Sequence, residues 1–163
     1  MTDGIIIRPA TREDVPQLFK LVQGLAEYVK ETHLLKATEA DLMRDGFGPE
    51  PRFKAVVADD GSGNLLGNVI YSANYSTWLG RSVCYIDDFF VAEAARGKGL
   101  GKRLMAAVAA EAVAAGHGRI ALSVLHWNPA REIYHRLGFK HEEEWLRYSV
   151  AGEALKELAA EAG

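Results

Sequence analysis

Hydrophobic and polar positions alternate along this chain with two periods, one typical of strands and one typical of helices. A β-branched run at 5–8 predicts a first strand. From 15 to 29 the apolar residues recur every three or four positions, which predicts an amphipathic helix with Thr11 or Asp14 as its cap. Residues 38–41, Thr-Glu-Ala-Asp, have the form of a helix start and predict a second, short helix.

Strand-like runs dominate the middle of the chain. Residues 53–59 and 65–72 are joined by a polar, glycine-containing segment, so we expect them to form an antiparallel hairpin. A third apolar run covers 83–91, but it carries two adjacent acids, Asp87 and Asp88, in its middle. A strand that only builds a core does not need carboxylates there, and these two residues are therefore candidates for chemistry.

The last part of the chain alternates helix and strand. We expect an alanine-rich helix over 104–115, a strand over 119–125 and a helix from 129 to 138. Residues 145–150 predict an edge strand that closes the sheet, and residues 153–162 predict a final helix or frayed end. Because neither a linker nor a repeat interrupts these elements, the pattern predicts a single α+β domain with helices on both faces of one sheet.

Composition narrows the classes of function. The 163 residues fit one domain over 1–163, and a hydrophobic fraction of 48% is enough for a substantial core. The formal net charge of −3 gives no general attraction to nucleic acid. The single cysteine, Cys84, and the scattered histidines predict neither a disulfide nor a metal site. Since no apolar run reaches about 18 residues, we expect no membrane association and a cytoplasmic protein.

A glycine-rich loop with several cations lies between a predicted strand and a predicted helix. Glycines let the backbone approach a ligand closely, and the helix start adds the positive end of its dipole, so this loop predicts a pyrophosphate site. A tight strand-to-helix turn is the alternative. The loop fits neither the Walker pattern nor the Rossmann fingerprint. Its residues are Arg96, Gly97, Lys98, Gly99, Leu100, Gly101 and Lys102.

The pattern Arg-x-x-Gly-x-Gly of this loop resembles the acetyl-CoA pyrophosphate loop of the GCN5-related N-acetyltransferases (GNAT). The resemblance extends over nearly the whole chain, with matching motifs at 7–11, at 85–91 and at 127–139. Within that superfamily, the segments 45–48 and 75–81 resemble the diamine acetyltransferase family, more closely its thialysine N-epsilon-acetyltransferase branch.

The resemblance implies a GNAT fold, with one mixed, mostly antiparallel sheet. It also implies an enzyme that transfers acetyl from acetyl-CoA to a small primary amine by direct attack, without a metal, and that forms a homodimer whose second subunit can complete the substrate tunnel. The backbone of the segment matching Phe89, Phe90 and Val91 would pair with the pantetheine arm of the cofactor. Asn128 through Arg131 would border the cofactor.

The chemistry of amine acetylation gives two of the matched residues defined roles. An aliphatic ammonium must lose its proton before it can attack, and an acid beside it provides the route. Asp87 matches the family's substrate-facing carboxylate, usually Glu, and as the shorter acid it favours proton transfer through water. On a regular strand Asp88 would point to the opposite face, as a structural or substrate-binding acid. Tyr134 matches the family's general-acid tyrosine, which protonates the leaving thiolate; packing against the sheet is the alternative.

The remaining candidates concern the acceptor amine. Tyr28 and Trp78 match positions that line the amine tunnel, and Ser123 could bind a polar end of the substrate. The polyamine-acetylating branch carries acids at the positions of Ser76 and Val29. Their absence here favours a thialysine-like or lysine-like amine or a short diamine over spermidine and spermine. Polyamine acetylation, protein acetylation and a non-catalytic acyl-CoA-binding regulatory module remain the alternatives.

Overall fold

The computed structural model describes residues 4–163. Five strands form one sheet in the order β1-β2-β3-β4-β5. The strands are β1 (Ile6–Pro9), β2 (Lys54–Asp59), β3 (Leu65–Ser76), β4 (Arg81–Val91) and β5 (Ile120–Leu122). The helices are α1 (Val15–Tyr28), α2 (Glu39–Phe47), α3 (Leu100–Ala114), α4 (Ala130–Arg136) and α5 (Gly152–Ala160). Short 3-10 turns lie at Arg12–Asp14, Thr32–Leu34 and Glu93–Ala95.

The connections explain the mixed character of the sheet. β1 to β4 pair antiparallel with their neighbours, whereas β5 pairs parallel to β4. A parallel neighbour requires a crossover, and α3 provides it between β4 and β5. The prediction of an α+β fold with a mixed, mostly antiparallel sheet is confirmed.

Helices cover both faces of the sheet, and each face has its own core. The α1/α2 face packs α1 and α2 against alternate side chains of β2 and β3, including Val57 and Ile70. The α3/α4 face packs α3 and α4 against the other side chains of the same strands, including Val56 and Tyr71. This alternation is the period-2 pattern of a strand that is covered on both sides.

An ion cluster ties the first strand to the rest of the domain. Arg8 donates from Nη1 to Asp14 over 2.6 Å and from Nη2 to Asp59 over 2.9 Å. Both carboxylates are buried. Asp14 also accepts from the backbone of Thr11 in a capping box, which fixes the entry to α1.

Several predicted elements differ from the structure. β5 is much shorter than the predicted strand over 119–125, and β3 continues past Ser72 to Ser76. The predicted edge strand at 145–150 is wrong, because these residues are exposed and have no ladder to another strand. Apolar, β-type composition does not make a strand unless a partner edge lies beside it. Within residues 4–163, no helix is long and apolar enough to cross a bilayer.

Candidate active site

A β-bulge in β4 sets the geometry of the two acids. Ile86 stands opposite Tyr71 on β3, but the next paired residue, Asp88, stands opposite Ile70. Asp87 is therefore an extra residue of β4 without a direct partner on β3. Such a bulge interrupts the regular alternation of side chains between the two faces of the sheet.

Asp87 and Asp88 consequently share the α1/α2 face of the sheet. The Oγ of Ser72 donates to Oδ2 of Asp87 over 3.5 Å, and Ser72 follows Tyr71, which belongs to the core of the opposite face. Asp88 stands opposite Ile70, whose side chain belongs to the α1/α2 core. Our prediction that the two acids point to opposite faces is wrong, because it assumed alternation through the bulge.

Both carboxyls are weaker acids than a free aspartate. Burial is the larger cause that raises the pKa of Asp88 to about 6, and the nearby charge of Asp87 adds to it. The pKa of Asp87 is also raised, and partial burial of its carboxyl is the largest cause. The hydrogen bond from Ser72 and the positive charge of Arg147 act in the opposite direction and offset only part of this effect. A pair of acids of this kind can hold a cationic amine and accept its proton.

Tyr85 and Ser123 also lie on the α1/α2 face of the sheet, and they contact each other between β4 and the end of β5. Their hydroxyl oxygens are 3.0 Å apart. Tyr85 stands opposite Ser72 on β3, the residue that donates to Asp87, and therefore projects from the same side of the sheet. Sequence reasoning selected Ser123 but missed Tyr85 and Ser72. The spacing of Tyr85 from Asp87 was a signal that could have identified it.

β4 and β5 separate after a short parallel contact. They pair only where Cys84–Ile86 meets Ile120–Leu122, whereas β4 continues to Val91. In the part of the chain that the structure describes, no strand pairs with residues 87–91 on the β5 side. An unpaired strand edge offers N–H and C=O groups to an extended ligand. Three predicted cofactor residues lie on this edge: Phe89, Phe90 and Val91.

The glycine loop presents an open surface at the start of α3. Gly97 and Gly99 adopt left-handed φ angles of 77° and 72°, and a Cβ at either position would meet nothing within 4 Å. Gly99 directly precedes α3, so the free N–H groups of the first helical turn point toward this open surface. Lys98 and Lys102 are exposed beside it. The arrangement fits a pyrophosphate, which needs close backbone approach and positive charge.

Other residues of the loop anchor it to the core. Leu100 is buried, and a Cβ on Gly101 would lie 2.9 Å from the ring of Phe89. Arg103, which adds to the positive charge of this segment in sequence, donates from Nη2 to the carbonyl of Ile5 over 2.6 Å. Gly101 therefore allows close packing on the sheet, and Arg103 ties the start of α3 to the residue that precedes β1.

Arg96 stacks between two aromatic rings. Its guanidinium carbon lies 4.6 Å from the ring centroid of Tyr28 and 5.5 Å from that of Phe90, and its Nε donates to the carbonyl of Val91 over 2.9 Å. Tyr28 also contacts the ring of Trp127, at 6.4 Å between centroids. The cation that was predicted to bind phosphate is thus engaged with rings and backbone in this structure, where it joins α1 to the end of β4.

Tyr134 lies in α4, on the α3/α4 side of the gap between β4 and β5. Its ring packs against Phe89 at 5.9 Å and against Phe139 at 5.6 Å. Burial raises the pKa of Tyr134 to about 12, so its hydroxyl keeps its proton at neutral pH. Both the packing role and the proton-donor role are compatible with this position.

Asn128 and Arg131, two predicted cofactor residues, form hydrogen bonds within the segment between β5 and α4. Asn128 is buried, and its Oδ1 accepts from the backbone N–H of Ala130 over 2.9 Å. Arg131 donates from Nη1 to the carbonyl of His126 over 2.7 Å. Both side chains therefore shape the segment between β5 and α4.

Trp78 lies at the tip of the turn between β3 and β4, where 85% of it is exposed. Its ring packs edge-on against Trp145 at 5.8 Å between centroids. The structure does not bring Trp78 into contact with Tyr28, the other predicted tunnel residue, which lies at the end of α1. In residues 4–163, no group of three His, Cys, Asp or Glu side chains is arranged to hold a metal ion.

Comparisons with known proteins agree on one family. The model of the acetyltransferase (GNAT) family matches residues 16–139. Thialysine N-epsilon-acetyltransferase of Mus musculus is 37% identical, over 94% of this chain and 96% of its own length. L-ornithine N5-acetyltransferase NATA1 of Arabidopsis thaliana is 30% identical, over 93% and 86%. The solved structure of an integron cassette protein from V. cholerae superposes with a TM-score of 0.79 at 25% identity, covering 96% and 98%.

Proposed function

This chain belongs to the acetyltransferase (GNAT) family and is an N-acetyltransferase, and we propose that its acceptor is the terminal amine of a lysine-like amino acid or a short diamine. The donor is acetyl-CoA, which supplies the acetyl group as an activated thioester. The observation that carries the proposal is the pair of acids, Asp87 and Asp88, on one face of β4 where β4 and β5 separate.

The residues around the gap between β4 and β5 fit an acyl-CoA. The open backbone at Gly97 and Gly99 suits the pyrophosphate, and Lys98 and Lys102 add positive charge. The free edge of residues 87–91 suits an extended pantetheine arm, which can pair with backbone as an added strand would. A ligand along this edge brings its reactive end toward the two acids.

Asp87 removes the proton that blocks attack by the amine. The carboxylates of Asp87 and Asp88 attract the substrate ammonium, and Asp87 accepts its proton, through water where the short side chain does not reach. The neutral amine then attacks the acetyl carbon, and the carbon–sulfur bond breaks. The nitrogen releases its second proton to solvent as the amide forms. Ser72 holds the Asp87 carboxylate in place for this transfer.

Tyr134, which lies on the opposite side of the sheet from the two acids, protonates the leaving thiolate. Its high pKa keeps it protonated until the sulfur carries negative charge, to which the phenol then gives its proton. The ring contacts with Phe89 and Phe139 fix the direction of the hydroxyl. Solvent returns the proton to Tyr134 after the product leaves.

The substrate class rests on charge. Ser76 and Val29 stand where the polyamine-acetylating branch has acids, so a second ammonium far from the reacting amine has fewer partners here. The names of two relatives, a thialysine and an L-ornithine acetyltransferase, indicate amino acids with a side-chain amine as their substrates. Both observations support a lysine-like amino acid or a short diamine over spermine.

A screen of free-CoA release tests the proposal. The purified protein is mixed with acetyl-CoA and one acceptor from each of four groups: lysine-like amino acids, short diamines, polyamines and lysine-containing peptides. We expect the first two groups to have the highest kcat/KM. A higher kcat/KM with spermine would refute the substrate class, acetylation of peptides alone would indicate a protein acetyltransferase, and acetyl-CoA binding without turnover would indicate a regulatory module.

We further propose that the protein is a homodimer. The family resemblance supports this state, and so do the exposed apolar side chains of the C-terminal segment, which include Trp145, Leu146, Tyr148 and Leu158. Light scattering should give twice the chain mass of 17.8 kDa. Replacement of Leu158 by Asp should shift the protein toward the monomer if this segment forms the interface.

A further inference from the structure

Four side chains from separate parts of the chain form a continuous stack. The guanidinium carbon of Arg96 lies 4.6 Å from the ring centroid of Tyr28 and 5.5 Å from that of Phe90. The ring of Tyr28 in turn lies 6.4 Å from that of Trp127. We call these four residues the aromatic clasp. They come from the end of β4, the glycine loop, the end of α1 and the segment between β5 and α4.

The aromatic clasp connects two strands at the place where they separate. The pairing of β4 with β5 ends where Ile86 meets Leu122. Phe90 lies beyond this point on β4, and Trp127 lies beyond it on the chain that leaves β5. Because the contacts run without interruption from Phe90 to Trp127, they bridge the two sides of the gap between β4 and β5. This is the gap that we propose for the donor.

The clasp lies on the α1/α2 face of the sheet. A Cβ on Gly24 would lie 2.8 Å from the ring of Phe90, so the missing side chain lets that ring pack directly on α1. Tyr28 follows Gly24 by one helical turn and lies on the same side of α1. The contact between Phe89 and Tyr134 lies on the other face of the sheet. Aromatic contacts therefore border the gap on both faces.

The backbone after Tyr28 fixes the end of α1. The N–H of Glu31 donates to the carbonyl of Ala26 over 2.9 Å. The N–H of Lys30 donates to the carbonyl of Glu27 over 3.1 Å, which completes a Schellman motif. Lys30 adopts the left-handed φ of 61° that this motif requires, although it is not a glycine. Strained backbone of this kind is often retained at functional sites, and here it holds Tyr28 in one position within the clasp.

We propose that Tyr28 is a positioning residue for the donor. By contacting Arg96 and Trp127, its ring holds the end of β4 and the segment after β5 at a fixed separation, so the gap has its shape before acetyl-CoA binds. A preformed site binds more tightly, because less conformational freedom is lost on binding. This inference rests on the proposed function, since it concerns the donor of the same reaction. The amine-tunnel role expected for Tyr28 would instead affect the acceptor.

Isothermal titration with acetyl-CoA alone measures the donor site without any acceptor. Tyr28→Leu removes the ring and keeps an apolar side chain. We expect it to raise the Kd for acetyl-CoA about tenfold, because a ring pair and a cation–π contact are lost together. The KM for the acceptor, measured at saturating acetyl-CoA, should stay unchanged. Tyr28→Phe should keep the wild-type Kd, because both contacts of Tyr28 involve its ring.

Trp127→Leu breaks the same bridge from its other end and should raise the Kd to a similar extent. The double variant should bind no more weakly than the weaker single variant, because both changes remove one connection. The matched control is Tyr75→Leu, at an exposed tyrosine of β3 outside the clasp, which should bind as the wild type does. Should Tyr28→Leu unfold, as judged by circular dichroism, Trp127→Leu decides the outcome.

Three results would overturn the inference. The first is an unchanged Kd in the deciding variant. The second is a rise in the acceptor KM of Tyr28→Leu without a rise in the Kd, which would assign Tyr28 to the acceptor. The third is a double variant in which the two losses add, because Tyr28 and Trp127 would then act independently. A wild type that does not bind acetyl-CoA would instead refute the donor of the proposed function itself.

Discussion

Asp87 and Asp88 are consecutive in the chain, yet both lie on the same face of β4. The bulge between Ile86 and Asp88 is the reason, since it inserts Asp87 as an unpaired residue. The two carboxylates therefore influence each other, and the more buried one, Asp88, has a pKa of about 6. One strand irregularity thus produces a doubly acidic surface where the strands β4 and β5 diverge.

The ionisation of Asp88 should appear in the pH dependence of catalysis. The pKa of Asp88 is raised to about 6 from an ordinary value of 3.8, so the carboxylate that attracts the substrate ammonium forms only as the pH rises through about 6. We expect kcat/KM for the amine to rise across this range. Asp88→Asn should remove this limb of the profile and leave the limb that reflects the substrate amine. An unchanged limb would assign it to another group.

The raised pKa of Asp88 should also make the thermal stability of the protein depend on pH. Because the folded-state pKa exceeds the unfolded-state value, the stabilising effect of protonated Asp88 is complete below about pH 4 and is lost as the pH rises through about 6. Asp88→Asn should therefore raise the thermal midpoint at pH 7.5 and change it little at pH 4. Calorimetry at both pH values checks the sign.

Gly99→Glu should abolish acetyl-CoA binding while the protein stays folded. The side chain would occupy the open surface of the loop and place a negative charge at the start of α3, where a phosphate is expected. Gly116→Glu is the matched control, because Gly116 has a similar left-handed φ of 76° and open surroundings beyond the other end of α3. Isothermal titration with acetyl-CoA should show binding to the control only. Equal affinity in both variants would refute the assignment of the loop.

Tyr134→Phe should lower kcat by about 10- to 10⁴-fold, because general-acid catalysis typically contributes up to this order. Stability should change little, since the ring contacts with Phe89 and Phe139 remain. Tyr75→Phe, at an exposed tyrosine, is the control and should retain full activity. Single-turnover measurements with saturating acetyl-CoA locate the loss in the chemical step. A wild-type rate in the folded variant would leave Tyr134 with a packing role only.

Arg8→Ala should destabilise the fold by about 3–5 kcal/mol at pH 7, because it leaves two buried carboxylates, Asp14 and Asp59, without their cation. The control is Arg44→Ala, which breaks an exposed 2.6 Å pair with Asp45 and should cost far less, because solvent screens that pair. Urea denaturation measures both.

The dependence on pH follows from the lowered pKa values of Asp14 and Asp59, of which the hydrogen bonds from Arg8 are the largest cause. Their stabilising effect is present above the unfolded-state pKa and is lost as the pH falls through the folded-state values. The difference between wild type and Arg8→Ala should therefore shrink in acid. A difference that stays constant down to pH 3 would contradict this account.

The sequence by itself determined most of the fold and the family. Hydrophobic periodicity located the helix α1 and the hairpin of β2 and β3, because such patterns depend on neighbours in the chain. Alanine-rich composition located most of α3. The capping sequence at 38–41 located the start of α2. There the Asp41 carboxylate accepts from the backbone N–H of Thr38 over 2.8 Å, and the backbone N–H of Asp41 donates to Oγ1 of Thr38 over 3.2 Å. The glycine loop was likewise readable, since left-handed φ angles and close backbone approach require glycine.

Only the tertiary structure decided how the site is assembled. The shared face of Asp87 and Asp88 depends on a bulge, which is a property of the register between β3 and β4 and leaves no periodic signal in either strand. The segment 145–150 has the composition of a strand, but pairing needs a neighbouring edge, and the folded chain instead leaves the segment exposed with Trp145 on Trp78.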